Sequence, residues 1–199
     1  MPRPRSVETP ELLDAAMFAF WEGGYGGVST RALEDATGLP ASSLYHRFGS
    51  KEGLFVAALS HYLERVVGAR VERYLHADDA LAGLREFFTS VYRADSRRYH
   101  ACLLVNTWSE FGRSNARVST VLARGNRLLS TSFADALRRG QSQGSVRRDL
   151  DIDTSALFLL SSLQGLLSTA RGERDFERLD AVVDLVLQAV AAPSARKHP

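Results

Sequence analysis

Between Ser29 and Phe48 the chain reads STRALEDATGLPASSLYHRF, and these residue types suit contact with a polyanion better than bond-breaking chemistry. Thr30, Ser42, Ser43 and Tyr45 carry hydroxyls, and Arg31, His46 and Arg47, followed by Lys51, add cationic or imidazole donors. Hydroxyl, guanidinium and ammonium groups donate to phosphate oxygens and to base edges. Small side chains at Ala41, Ser42 and Ser43 let a backbone approach a surface closely, while Tyr45, His46 and Arg47 supply reach. Catalysis finds no such support. No paired carboxylates or nucleophile with an adjacent base stand out. His61, His76, His100 and His198 lack a second histidine at metal-ligand spacing, so no metal and no cofactor are expected. Asp149, Asp151 and Asp153 lack the glycine and terminal glutamate of a calcium loop, and they read as helix-start residues instead. The GGYGG run at 23–27 lacks the Lys-Ser/Thr of a phosphate-cradling loop, so it reads as a helix stop and a turn.

Helices must hold these groups in place. Helical periodicity recurs nearly throughout and no alternating β-branched run is present, so the fold class is all-α, with about nine helices. A first helix is expected from Thr9 as N-cap, with Pro10 at its first position. It buries Leu13, Ala16, Met17, Phe20 and Trp21 and is stopped by Gly23 and Gly24. A second opens at Ser29 or Thr30, with Thr30 able to cap, and ends at Gly38. A third covers Ala41 to Phe48. A fourth starts at Ser50, with Glu52 complementing its positive end, and runs to about Leu75. Further helices are expected over 80–94, 102–111, 114–139, 154–171 and 175–191. Two short helices around Gly38 form a helix-turn-helix. Ala32, Leu33, Ala36, Leu39 and Leu44 are expected to pack against Phe20 and Leu54, leaving the outer face of the second short helix free for a major groove.

Bulk properties set the frame. The 199 residues are 45% apolar, enough for a packed core. Basic and acidic residues number 25 and 23, a balance that does not by itself point to nucleic acid. Residues 1–65 hold six basic side chains (Arg3, Arg5, Arg31, Arg47, Lys51, Arg65) against eight acidic ones, so any DNA contact rests on a few placed cations and backbone amides. Cys102 is the single cysteine, and no long apolar run or secretory segment is seen, which points to the cytoplasm and away from membranes.

Residues 23–55, GGYGGVSTRALEDATGLPASSLYHRFGSKEGLF, resemble the DNA-binding head of the TetR family of bacterial repressors. The shared pattern is aromatic-Gly, Ser/Thr at the second helix start, a Gly-hydrophobic turn, Leu-Tyr-x-x-Phe, x-Ser-Lys-Glu and Leu-hydrophobic. The resemblance implies that Thr30 and Tyr45 bind backbone phosphate, that Ala41, Ser42, Ser43 and His46 face the groove, with Arg31 nearby, and that Lys51 grips a phosphate at a helix N-terminus. Pro40 stands where the family commonly has a capping Ser or Thr. The resemblance further implies a head over 6–65, a ligand-binding and dimerisation body over 66–192, and a tail over 193–199. The partners it implies are a palindromic double-stranded operator, a second copy of the chain and a small-molecule inducer.

Residues 101–112 and 144–171 resemble the central helix and the dimer-forming penultimate helix of one branch of that family. Leu157, Leu160, Gln164 and Leu167 share one stripe, with Leu179, Val183, Val186 and Val190 on the next helix, and two such pairs would make a four-helix interface. Phe88, Tyr92, Cys102, Trp108, Phe111, Phe133 and Phe158, with Phe87 and Tyr99, are candidates for lining an inducer pocket. Cys102 reads either as a small core residue or, as in some relatives, as a sensor of electrophiles, with Arg97, Arg98 and His100 close in sequence. The rival to a ligand-responsive repressor is a small-molecule-binding bundle or enzyme with a vestigial helix-turn-helix. An activator or architectural protein with the same head is a third reading.

Overall fold

The computed structural model describes residues 9–93, 102–173 and 175–193. Among them are nine α-helices and no strand: α1 (Thr9–Gly27), α2 (Thr30–Thr37), α3 (Ala41–Phe48), α4 (Lys51–Tyr62), α5 (Ala80–Arg93), α6 (Leu103–Phe111), α7 (Ala116–Gln143), α8 (Ile152–Thr169) and α9 (Phe176–Gln188). Arg3, Arg5, Arg97, Arg98, Tyr99, His100, His198 and the tail from residue 194 lie outside the described residues. None of the helices described is long and apolar enough to cross a membrane.

Several helix ends differ from expectation, α7 running Ala116–Gln143 where 114–139 is expected, and two helices also differ in form. The first helix passes Gly23 and continues to Gly27 across a kink at Gly24, whose φ of 68° and ψ of 169° lie where a side chain would be strained. After Tyr62 the fourth helix keeps going to Leu75, the end expected for it, but as π-helical stretches Leu63–Gly68 and Val71–Leu75. An apolar stripe fixes that a helix continues, not how many residues fill each turn.

The chain divides into two compact units, Met1–Val67 with Arg98–Leu122, and Gly68–Arg97 with Ala123–Pro199. Residues 102–122 cluster with the helix-turn-helix in the first unit. In this first unit the core is Leu12, Ala16, Met17 and Phe20 of α1, Leu33, Leu44, and Leu54, Phe55, Ala58, Leu59 and Tyr62 of α4. Leu12 takes the place expected for Leu13, which is half-buried together with Trp21. A one-residue shift of this kind turns a helical stripe by about 100°.

In the second unit Phe87 and Phe88 of α5 meet Phe133 of α7 at ring distances of 5.5 and 5.8 Å. Asp151 caps α8 by accepting from the Thr154 amide at 2.8 Å, which is the role expected for this acidic run. A polar seam joins α5 to α9: Tyr92 and Arg93 both donate to Asp180, and Arg85 Nε donates to Asp184 at 2.9 Å. Burial opposes the charge of Asp180, yet the Tyr92 hydroxyl and the Arg93 guanidinium outweigh it and hold the carboxyl below its ordinary 3.8. Burial and the same bond push the Tyr92 phenol well up. Because Asp180 is depressed in the folded state, the stability it adds is present above pH 3.8 and is lost as pH falls through the lower folded value. Asp180→Asn is expected to cost about 1–2 kcal/mol at neutral pH. In urea denaturation across pH, the gap to the parent protein should narrow below pH 3.8.

Candidate nucleic-acid interface

α2 starts on Ser29, whose hydroxyl accepts from the Ala32 amide at 3.1 Å. Thr30, expected to be able to cap, is displaced from that job, and its Oγ1 lies 3.1 Å from the Tyr45 hydroxyl instead. Two hydroxyls assigned by resemblance to phosphate are thereby held side by side. α2 ends at Gly38, in the left-handed region with φ 68°, whose amide donates to the Glu34 carbonyl. Leu33 and Thr37 form its buried edge, whereas Ala32 and Ala36, expected inside, are exposed. A helix of two turns has room for one inward row, and the bulk of Leu33 claims it.

α3 buries one side chain. Leu44 is fully enclosed, at 0% exposure, while Ser42, Ser43, His46 and Arg47 are exposed and Ala41 and Tyr45 are half-buried. Pro40 at the N-cap provides no side-chain bond, as its chemistry dictates. The Ala41 amide donates across the turn to Glu34 Oε1 at 2.6 Å. Nothing in the sequence singles out Glu34, since helical periodicity tracks contacts within a helix and not caps supplied by its neighbour.

Ser50 caps α4 by accepting from the Gly53 amide at 3.0 Å. Gly53 is buried, and a Cβ there would sit 1.9 Å from the carbonyl oxygen of Phe48, the last residue of α3. The two helices therefore meet backbone to backbone. Lys51, in the first turn of α4, places Nζ 4.7 Å from the centre of the Tyr25 ring, a cation–π contact. Burial, then the charge of Glu52, pushes the Tyr25 phenol upward. Arg31 is exposed on α2, and the Arg47 guanidinium donates to the Thr9 hydroxyl.

One residue of α6 reaches into this arrangement. The Glu110 carboxylate accepts from the Tyr25 amide at 3.0 Å and from the Gly26 amide at 2.5 Å, both presented beyond the kink in α1. Phe111 packs on Tyr25 at 4.9 Å and on Phe55 at 5.5 Å. It is also one of the rings that are candidates for an inducer site. Among the other pocket candidates, Phe88 and Tyr92 are buried in α5, Trp108 is half-buried and Phe158 is exposed on α8. Cys102 is half-buried, and its Sγ accepts from the Tyr62 hydroxyl at 3.3 Å. His61 faces Asp14 at 2.9 Å, with Arg65 on the same oxygen, and no cluster of three or more metal-ligating side chains occurs among the described residues.

A short helix held by one inward leucine, with hydroxyls and an imidazole outward and a hydroxyl pair and a lysine beside it, is the layout of a helix-turn-helix reader of duplex DNA. Residues 12–58 match the family model described as bacterial regulatory proteins, tetR family. Residues 80–190 match the model for the tetracyclin repressor-like C-terminal domain. The chain belongs to the TetR family. It is similar to the uncharacterized HTH-type transcriptional regulator YezE of Bacillus subtilis, 30% identical over 96% of this chain and 100% of the relative. The HTH-type transcriptional repressor ComR of Escherichia coli is 26% identical over 94% of this chain and 90% of its own. A solved structure of a cysteine mutant of the regulator CifR, complexed with 26bp double-strand operator DNA, superposes with a TM-score of 0.80 at 34% identity, covering 94% and 99% of the two chains.

The backbone contact at Gly53 gives a direct test of how tightly α3 is set on α4. Gly53→Ala forces a Cβ into the Phe48 carbonyl and is expected to cost about 1–3 kcal/mol, measured by urea denaturation.

Proposed function

We propose that the chain is a ligand-responsive repressor that binds a palindromic operator as a homodimer in the bacterial cytoplasm and leaves it when a small molecule binds its body. The observation that carries this reading is the division of α3: Leu44 inside, with Ser42, Ser43 and His46 outside. In this reading Ala41, Ser42, Ser43 and His46 face bases, Thr30 and Tyr45 hold backbone phosphate, and Lys51 and Arg31 add charge. The solved CifR complex with operator DNA supports it by likeness. No catalytic role is assigned.

Dimerisation is assigned to α8 and α9. Leu160, Leu167, Leu179 and Val183 are buried within the chain's own core, and Gln164 donates to Asn126 at 3.3 Å. Their inward positions leave Leu157 at 59% exposure and Leu185 at 66%, with Phe158, Val182 and half-buried Val186, as the surface for a second copy. Apolar side chains exposed together on paired helices are best covered by another such pair. Two heads set about 34 Å apart would then read successive major grooves. The inducer is expected to be apolar or aromatic; its candidate contacts are Phe88, Tyr92, Phe133 and Phe158 in the second unit and Cys102, Trp108 and Phe111 in the first. The Glu110 grip on Tyr25 and Gly26 gives α6 a direct hold on the head.

The deciding experiment is fluorescence anisotropy on a palindrome obtained by selection, with and without candidate ligands; a chain that binds no duplex in any selection sinks the reading. On that palindrome Lys51→Ala is expected to weaken binding to all sequences alike and to reduce the slope of log affinity against log salt by about 2, one phosphate per head. His46→Ala should instead change the preferred base, seen by repeating the selection. Leu185→Glu is expected to give a monomer in light scattering and to lower operator affinity at least tenfold, about 1.4 kcal/mol.

A further inference from the structure

We propose that Glu34 is a positioning residue for base reading: it caps the recognition helix from the neighbouring helix and so sets where Ser42, Ser43 and His46 stand. The inference rests on the DNA-reading role given to α3.

Three observations lead to it. α3 has eight residues, begins at a proline that provides no side-chain cap, and buries a single side chain. So short a helix has little stability of its own, and its first turn, from which Ser42 and Ser43 project, is the part most ready to fray. The Glu34 carboxylate takes the Ala41 amide at 2.6 Å, while the carbonyl of the same residue takes the Gly38 amide at 2.8 Å. One residue of α2 therefore fixes both the end of its own helix and the start of the next. Ser43 and Leu44 donate to the Pro40 carbonyl at 2.9 and 3.1 Å, so the Glu34 bond completes a continuous set of contacts through the turn.

A carboxylate here carries a cost as well. Negative charge beside a DNA-facing helix opposes the phosphates that Thr30, Tyr45 and Lys51 are assigned to bind, in a head where acidic residues already outnumber basic ones. The geometry favours the capping role, because the oxygen is half-buried against an amide at short distance and complements the positive end of α3. What the site requires is thus an acceptor at this point, with the charge secondary. Glutamine would keep the acceptor and remove the charge, alanine would remove both, and serine at position 40 would supply an acceptor from within α3 itself.

The test compares Glu34→Ala, Glu34→Gln and the double variant Glu34→Ala with Pro40→Ser, using anisotropy on the selected operator and on a scrambled duplex. An N-cap bond corresponds to about fivefold per head, so Glu34→Ala is expected to weaken operator binding by up to about thirtyfold for two heads. Binding to the scrambled duplex should not fall, because the same change removes a negative charge beside the phosphates. Glu34→Gln and the double variant should restore the operator preference, Glu34→Gln with affinity at or above that of the parent. Hydrogen exchange at the Ala41 amide gives a readout independent of DNA: slow in the parent, fast in Glu34→Ala, slow again in Glu34→Gln. The inference is overturned if Glu34→Ala keeps both the operator preference and the slow amide, or if neither restoring variant recovers the preference. Failure of the parent protein to bind any duplex would instead strike the proposed function, leaving the capping bond to be judged by the exchange rates.

Discussion

Leu44 is the contact on which the interface depends. It is the one buried residue of α3, so its enclosure fixes which side of that helix faces the protein and which faces outward. Neighbours at helical spacing then have no choice: Ser43, His46 and Arg47 are carried to the open side and Tyr45 to the margin. An isolated helix of this length would not persist in water. It persists here because three tertiary contacts compensate: Leu44 against the core, the Ala41 amide on Glu34, and the backbone of Phe48 set against Gly53.

Around that helix the head uses charge sparingly and backbone geometry heavily. Lys51 leans on the Tyr25 ring, and Tyr25 is itself gripped through its amide by Glu110 and packed by Phe55 and Phe111. Aromatic packing and a carboxylate bound to two amides are directional, so they hold the lysine's neighbourhood without further cations. This explains why a segment with more acidic than basic residues still presents a surface suited to a polyanion.

How much of this was legible in the sequence depends on the range of the interaction. Ser29 to Phe48 announced its two helices, its turn and its outward residues because each signal lies within a few positions: a hydroxyl before a helix, Gly38 after one, a leucine between serines and a histidine. The turn of α1 beyond Gly24 was hidden because Gly23 and Gly24 look like a stop, and nothing nearby reveals that Glu110 awaits the next two amides. The π-helical geometry after Tyr62 was equally silent, since the apolar pattern through Val67, Val71 and Leu75 suits a helix of either width. The roles of Glu34 as a cap and of Phe111 as a packing partner of Tyr25 carry no local signal for one reason: their partners lie across a turn or far along the chain. On α8 and α9 the residues expected to pair two copies divide between buried Leu160, Leu167, Leu179 and Val183 and exposed Leu157. A helix that is apolar on two sides cannot declare which side it keeps for itself.

The hydroxyls of Thr30 and Tyr45, 3.1 Å apart, form a chain of two links in which either oxygen can give its hydrogen to the other. Whichever oxygen receives keeps its own hydrogen free to point away. Reversing the chain therefore moves the outgoing donor from one oxygen to the other, a step of 3.1 Å, by rotating hydrogens alone. A rigid backbone thus keeps a choice of where its outgoing donor stands without moving a heavy atom.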